Sequence, residues 1–157
     1  MAQHRTLVAV ALAALAAMPA AAQTATTSVI NGATIEYKGV AVHLWGIDAP
    51  EKAQICADGW PAGLAAIDHL KSLVEGQSVG CVQKSADQSP RVTAVCKANG
   101  KDLSAEMASA GLAWALTSET LDYTVAETNA MAAVLGVHGH PCMKVWEWRN
   151  RQLKLPP

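Results

Sequence analysis

The chain has 157 residues, a formal net charge of −1 and a composition that is 51% hydrophobic and 16% charged. That length sets one domain with one real core. A near-neutral balance argues against a protein that grips many phosphates, because such binding draws on counterion release from a basic surface, although it leaves room for a local basic groove.

The first 22 residues read as a leader. His4 and Arg5 form a short basic start, Leu7 to Met18 is an uncharged apolar run, and Ala20, Ala21 and Ala22 make a small-residue cleavage site before Gln23. This is the pattern of a secretory signal peptide, and the run is too short to span a membrane. The expected mature chain is therefore residues 23–157, periplasmic or secreted, with no second apolar stretch of spanning length. Losing Arg5 leaves 11 basic residues against 13 acidic ones.

In chain order, residues 23–27 form a polar arm. Three strands follow, "SVI", "ATIEY" and "VAVHLWGI", separated by Asn31-Gly32 and Lys38-Gly39, which are hairpin turn pairs. From Trp60 to Val74, Leu64, Ile67, His69, Leu70, Leu73 and Val74 recur at spacings of three and four, predicting an amphipathic helix that ends at Gly76. Two strands come next, over 78–84 and 91–98, around the polar loop "SADQSP". A helix over 103–110 follows Asp102 as N-cap, and one over 125–135 follows Thr124, with Glu127 completing a capping box. A last helix is expected over 143–152. Three strands, a helix, two strands and then helices predict an α+β chain built on a five-stranded Greek-key barrel of the OB type, with three to four helices.

Four cysteines, Cys56, Cys81, Cys96 and Cys142, all fall in the mature chain. An even count in an exported domain favours disulfides, and the spacings are unlike zinc-binding pairs. Of three connectivities, the reading of 78–84 and 91–98 as neighbouring strands favours Cys81–Cys96, which leaves Cys56–Cys142. The five tryptophans, Trp146 and Trp148 among them, read as core anchors in a chain without Phe. His138 and His140, one residue apart in a Gly/Pro turn, read as a solvated turn rather than a metal site.

Several stretches together resemble the staphylococcal nuclease-like family: "VINGATIEYKG", "VHLWGIDAPE", "SPRVTAVCKANGKDLSAEMASAGLAWA", "YTVAETNA" and the ending from Pro141 to Arg149. They cover nearly the whole mature chain in order. The resemblance implies an OB-type barrel and calcium-dependent cleavage of DNA or RNA. In such enzymes two aspartates hold the metal, a glutamate handles the attacking water and two arginines bind the phosphate. Hard cations need oxygen ligands, and a developing anionic charge needs preorganised positive charge.

Carried over by position, the resemblance makes Asp48 a metal ligand, Glu51 the catalytic carboxylate and Arg91 one phosphate-binding arginine. Ala33, in "NGAT", stands where the other metal-binding aspartate belongs, and its methyl group cannot coordinate. Asn31 is turned elsewhere by strand alternation. His43 stands where the other arginine belongs and lacks its fixed charge and five-donor fork. Ser89 replaces an aromatic residue before Arg91, and Thr117 and Glu119 fall where some members carry base-stacking tyrosines.

Three readings of this set follow. It is a calcium site weakened to Asp48 alone; or a metal-free acid–base and phosphate-binding set of His43, Glu51 and Arg91; or a turn shaped by Asp-x-Pro-Glu, with Arg91 as ion-pair partner. The overall expectation is an exported family member with catalysis lost or strongly impaired, in a binding or scaffold role. The alternative is a residual nuclease using Asp48, Glu51 and Arg91. No cofactor is expected unless the protein is active, in which case it is Ca2+. The partner class is a nucleic acid or another phosphate-bearing ligand, bound weakly.

Overall fold

The computed structural model describes residues 27–85 and 92–154. The segment expected as a leader, and Ser89 and Arg91, lie outside the described residues. Strands β1 (Ser28–Asn31), β2 (Thr34–Tyr37) and β3 (Val40–Leu44) form an antiparallel meander. Lys38 and Gly39 both adopt left-handed φ, 52° and 77°, as the two-residue turn between β2 and β3 demands.

The expected third strand ends early. At Trp45-Gly46 the chain turns, and the next two residues form β4 (Ile47–Asp48), which leaves the main sheet to pair with β8 (Trp114–Ala115). Gly46 has φ 74°, and a Cβ there would stand 2.5 Å from Thr120 and 2.7 Å from Tyr123. Only glycine fits, and the break redirects Asp48.

Helix α1 (Ala62–Val74) then covers the sheet, burying Ala62, Ala66, Ile67, Leu70 and Val74, while Leu64 is exposed. Ala62 and Ala66, rather than Leu64, complete the contact face with Ile67, Leu70 and Val74. Strands β5 (Val79–Ser85) and β6 (Val92–Ala98) pair antiparallel, with Cys81 directly opposite Cys96, and these two cysteines are bonded. β6 also pairs parallel with β3, giving the strand path β1-β2-β3-β6-β5. A two-residue β7 (Lys101–Asp102) extends β6. Five main strands with a helix between the third and fourth, plus a parallel pairing of third and fifth, give the OB-like α+β fold.

Helix α2 (Leu103–Ser109) starts where Asp102 accepts hydrogen bonds from the Ser104 and Ala105 amides, a cap of about 1 kcal/mol. Helix α3 (Thr124–Ala132) departs from expectation at both ends. No capping box forms: Thr124 Oγ1 donates to the Leu121 carbonyl, and Glu127 Oε2 accepts from the Ala115 amide. Glu127 is drawn across to hold β8 instead. The helix stops at Ala132 because Val134 sits at φ 56°, leading into a 3-10 turn at Gly136–His138.

Helix α4 (Val145–Gln152) closes the described chain. Among the described residues no helix is long and apolar enough to cross a membrane. The main core gathers Ile35, Leu44, Ile47, Leu70, Leu103 and Met107 between sheet and helices. A smaller cluster joins Cys56, Ala62, Trp114, Val137 and Val145. Of the five tryptophans, Trp114 is the buried one; the others are half-buried, and Trp45, Trp60 and Trp146 pack at the margins of the two clusters.

Candidate active site

β4 sets Asp48 at the end of a buried strand, 12% exposed by its side chain, and Ala49 and Pro50 carry the chain to Glu51. The turn after it is tightly held. Gln54 N donates to the Glu51 carbonyl at 2.7 Å, and Gln54 Oε1 accepts from the Glu51 amide at 3.3 Å. Gly63, in the first turn of α1, lies against the same carbonyl, where a Cβ would come within 1.9 Å. Both carboxylates are thereby fixed to one rim of the barrel.

Their partner is Arg149, from the other end of the chain. Arg149 Nη1 donates to Asp48 Oδ2 at 2.6 Å, Nη2 to Asp48 Oδ1 at 3.0 Å, and Nε to Glu51 Oε1 at 2.5 Å. Asp48 Oδ1 also accepts from the Ala49 amide. The planar guanidinium can present parallel N–H groups to one carboxylate and its Nε–H to a second, which an ammonium cannot. These bonds, Asp48's above all, push the Arg149 pKa up against the opposing effect of burial, so the group is charged at every ordinary pH.

α4 delivers Arg149 by helical spacing. Val145, fully buried in the small cluster, lies one turn before Arg149 on the same face. Trp146 packs edge-on against Trp114, with centroids 6.1 Å apart. The segment leading into α4 is fastened to the loop after Glu51 at successive points. Cys142 is bonded to Cys56, and Gln54 Nε2, itself buried, donates to the Met143 carbonyl at 2.6 Å. His140 Nδ1 lies 2.6 Å from Asp58 Oδ2, and its ring stacks on Trp60 at 4.2 Å. The contact with His140, then the Trp60 amide, hold the Asp58 carboxyl below its ordinary pKa.

The other expected residues fall out differently. His43 stands opposite Thr34 across β2–β3; its Nε2 lies 3.1 Å from the Ile47 carbonyl and its Nδ1 3.3 Å from Thr34 Oγ1. A carbonyl only accepts, so Nε2 carries a proton and donates to Ile47. His43 thus ties the start of β4, through Ile47, to Thr34 on β2. Ala33 is buried in the core, and Asn31 Oδ1 accepts from the Ala33 amide. Glu119 Oε2 accepts from the Gly46 amide, bracing the turn ahead of Asp48.

His138 and His140 diverge. His138 Nε2 is buried without a hydrogen-bond partner, 3.9 Å from Glu127, and burial holds its pKa below the ordinary value. Among the described residues no three His, Cys, Asp or Glu side chains are grouped to hold a metal. Arg91 lies outside the described residues, so the ion-pair partner seen for the two carboxylates is Arg149.

Arg149 and Gln54 are the residues that sequence reasoning passed over. A signal was present: a Cys56–Cys142 bond places residue 142 beside 56, which brings the helix after it within reach of residues 48–51.

The family model described as staphylococcal nuclease homologue matches residues 41–136. That span takes in Asp48, Glu51, His43 and Arg91, and leaves both Ala33 and Arg149 outside it. No curated protein matches the chain. With an OB-like barrel, the paired carboxylates on its rim and a match over more than half its length, the chain belongs to the staphylococcal nuclease homologue family.

Proposed function

We propose that this protein is an exported member of the nuclease family in which metal-dependent phosphodiester cleavage is lost or strongly impaired. It would then serve in a binding or scaffold role toward a nucleic acid or another phosphate-bearing ligand. The observation that carries this reading is the Arg149 guanidinium bonded to Asp48 and Glu51 together.

A calcium site needs six or more oxygen ligands with enough negative charge among them. Here both Asp48 oxygens accept from Arg149, Asn31 Oδ1 is taken by a backbone amide, and Ala33 has no oxygen to offer. These residues do not suit a divalent cation. His43, held by both ring nitrogens, is poorly placed to serve as a mobile acid or base, which weighs against the metal-free set. The leader-like first 22 residues and the two disulfides support export.

A second reading, a residual phosphodiesterase using Asp48, Glu51 and Arg91, draws on one observation: the two carboxylates remain close enough to share one guanidinium. The deciding assay is cleavage of single-stranded DNA and RNA by purified protein, with calcium, with other divalent ions and with chelator. A Glu51→Ala variant prepared identically serves as the blank. No cleavage above that blank is expected; cleavage that needs calcium and disappears with Glu51→Ala would establish the second reading.

A further inference from the structure

We infer that the C-terminal segment, residues 137–154, is a redox-sensitive latch: the Cys56–Cys142 bridge keeps Arg149 on Asp48 and Glu51, and its reduction frees both carboxylates. The inference shares the Arg149 contact with the functional reading, but it does not depend on whether the protein cleaves nucleic acid.

The division of the core makes this possible. The buried members of the main core end at Tyr123, and the latch contributes none of them. Val137 and Val145 belong instead to the small cluster around Cys56 and Trp114. α4 has 8 residues, of which Val145 is buried. Helices this short do not persist alone, so α4 depends on what fastens it. Apart from the packing of Val137, Val145 and Trp146 around Trp114 and the Val137 amide on the Gly111 carbonyl, the segment leading into it is fastened to one short loop: the bridge to Cys56, the Gln54–Met143 and Ala57–Pro141 hydrogen bonds, and His140 on Asp58 and Trp60. The His140–Asp58 pair is partly exposed and weak by itself. The bridge is the covalent restraint among these contacts, and the barrel keeps its own bridge, Cys81–Cys96, in a different place.

The chemistry is ordinary thiol–disulfide exchange with a dithiol. One thiolate of the donor attacks a sulfur of the bridge, whose Cys142 is half-buried where Cys56 is buried, and forms a mixed disulfide as the other cysteine leaves as a thiolate. The donor's second thiol then displaces the attacked cysteine. Two electrons and two protons pass to Cys56 and Cys142, which become thiols, and the donor departs as its own disulfide. With the segment released, Arg149 exchanges its carboxylate partners for water.

Arg151, exposed on the same helix, is an internal reference. Arginine-selective labelling with phenylglyoxal, read residue by residue by mass spectrometry, compares the two guanidinium groups in one peptide. Bridged protein is set against protein reduced with dithiothreitol and capped with iodoacetamide. It is also set against a Cys56→Ala, Cys142→Ala double variant that retains Cys81–Cys96. The expected result is a rise of about tenfold in Arg149 labelling in both, with Arg151 unchanged. Hydrogen exchange of the double variant, in which Cys81–Cys96 is intact, should quicken over residues 137–154 and stay as it was in β5 and β6. Continued protection of Arg149 after loss of the bridge would overturn the latch. So would exchange that quickens throughout the sheet, which would make the bridge a staple of the whole fold.

Discussion

Arg149 satisfies two carboxylates at once, and the strength of that arrangement follows from how unequally the three groups are buried. Asp48 is 12% exposed at its side chain, Glu51 31% and Arg149 39%. Removing one partner of a fully buried ion pair costs about 3–5 kcal/mol, whereas exposed pairs contribute about 0–1 kcal/mol. With a guanidinium open to solvent and screened by it, Arg149→Ala should destabilise the protein by about 1–3 kcal/mol. Arg149→Lys should recover only part of this, since an ammonium cannot make the two-pronged contact to Asp48 while reaching Glu51. Urea unfolding checks both variants: the midpoint should fall with an unchanged m-value. A loss below about 0.5 kcal/mol for Arg149→Ala would place the contact among ordinary surface pairs.

At the scale of elements, the site depends on the turn between β4 and α1 keeping its shape. Gly63 is the tightest point, because the Glu51 carbonyl occupies the space a side chain would need. Gly63→Ala should therefore push the Glu51 turn outward and destabilise the protein by about 1–3 kcal/mol or more, as overpacking does. Thermal unfolding would register it as a lowered midpoint. An unchanged midpoint would mean that the turn moves freely, contrary to its hydrogen bonds with Gln54.

Much of this was legible in the sequence. The turn pair at 38–39, the helical spacing from 60 to 74, the Asp102 cap and the strand-to-strand bridge at Cys81 and Cys96 are local signals, and local signals carry their own geometry; the first turn falls one residue later than expected, at Gly32-Ala33, because Asn31 pairs with Thr34. Three features were not legible, for a shared reason. The break at Gly46 depends on Thr120 and Tyr123 lying alongside, Glu127 serves β8 rather than its own helix end, and Arg149 lies about a hundred residues from its partners. Each is set by a long-range neighbour that no periodicity or capping pattern encodes. In the site, Ala33 and His43 could be read as departures, but only the fold supplied the cation that stands with Asp48 and Glu51.

Over the whole molecule, a near-neutral barrel carries a closing segment that touches it on one side. The Cys56–Cys142 bridge spans 86 residues and Cys81–Cys96 spans 15. In the chain-entropy model these contribute about 4.5 and 3 kcal/mol, so the bridge that seats Arg149 is also the larger restraint on the unfolded chain. The overall architecture thus makes Asp48 and Glu51 one end of an internal ion pair, with Arg149 supplying the cation. The most direct test of that claim is a calorimetric titration of the bridged, full-length folded protein with calcium, beside an Asp48→Asn control. With Arg149 in place, no binding should be seen up to calcium concentrations of about 1 mM, the range of weak extracellular sites. Saturable binding in that range that disappears with Asp48→Asn would show that a metal ion displaces Arg149, and would contradict the account.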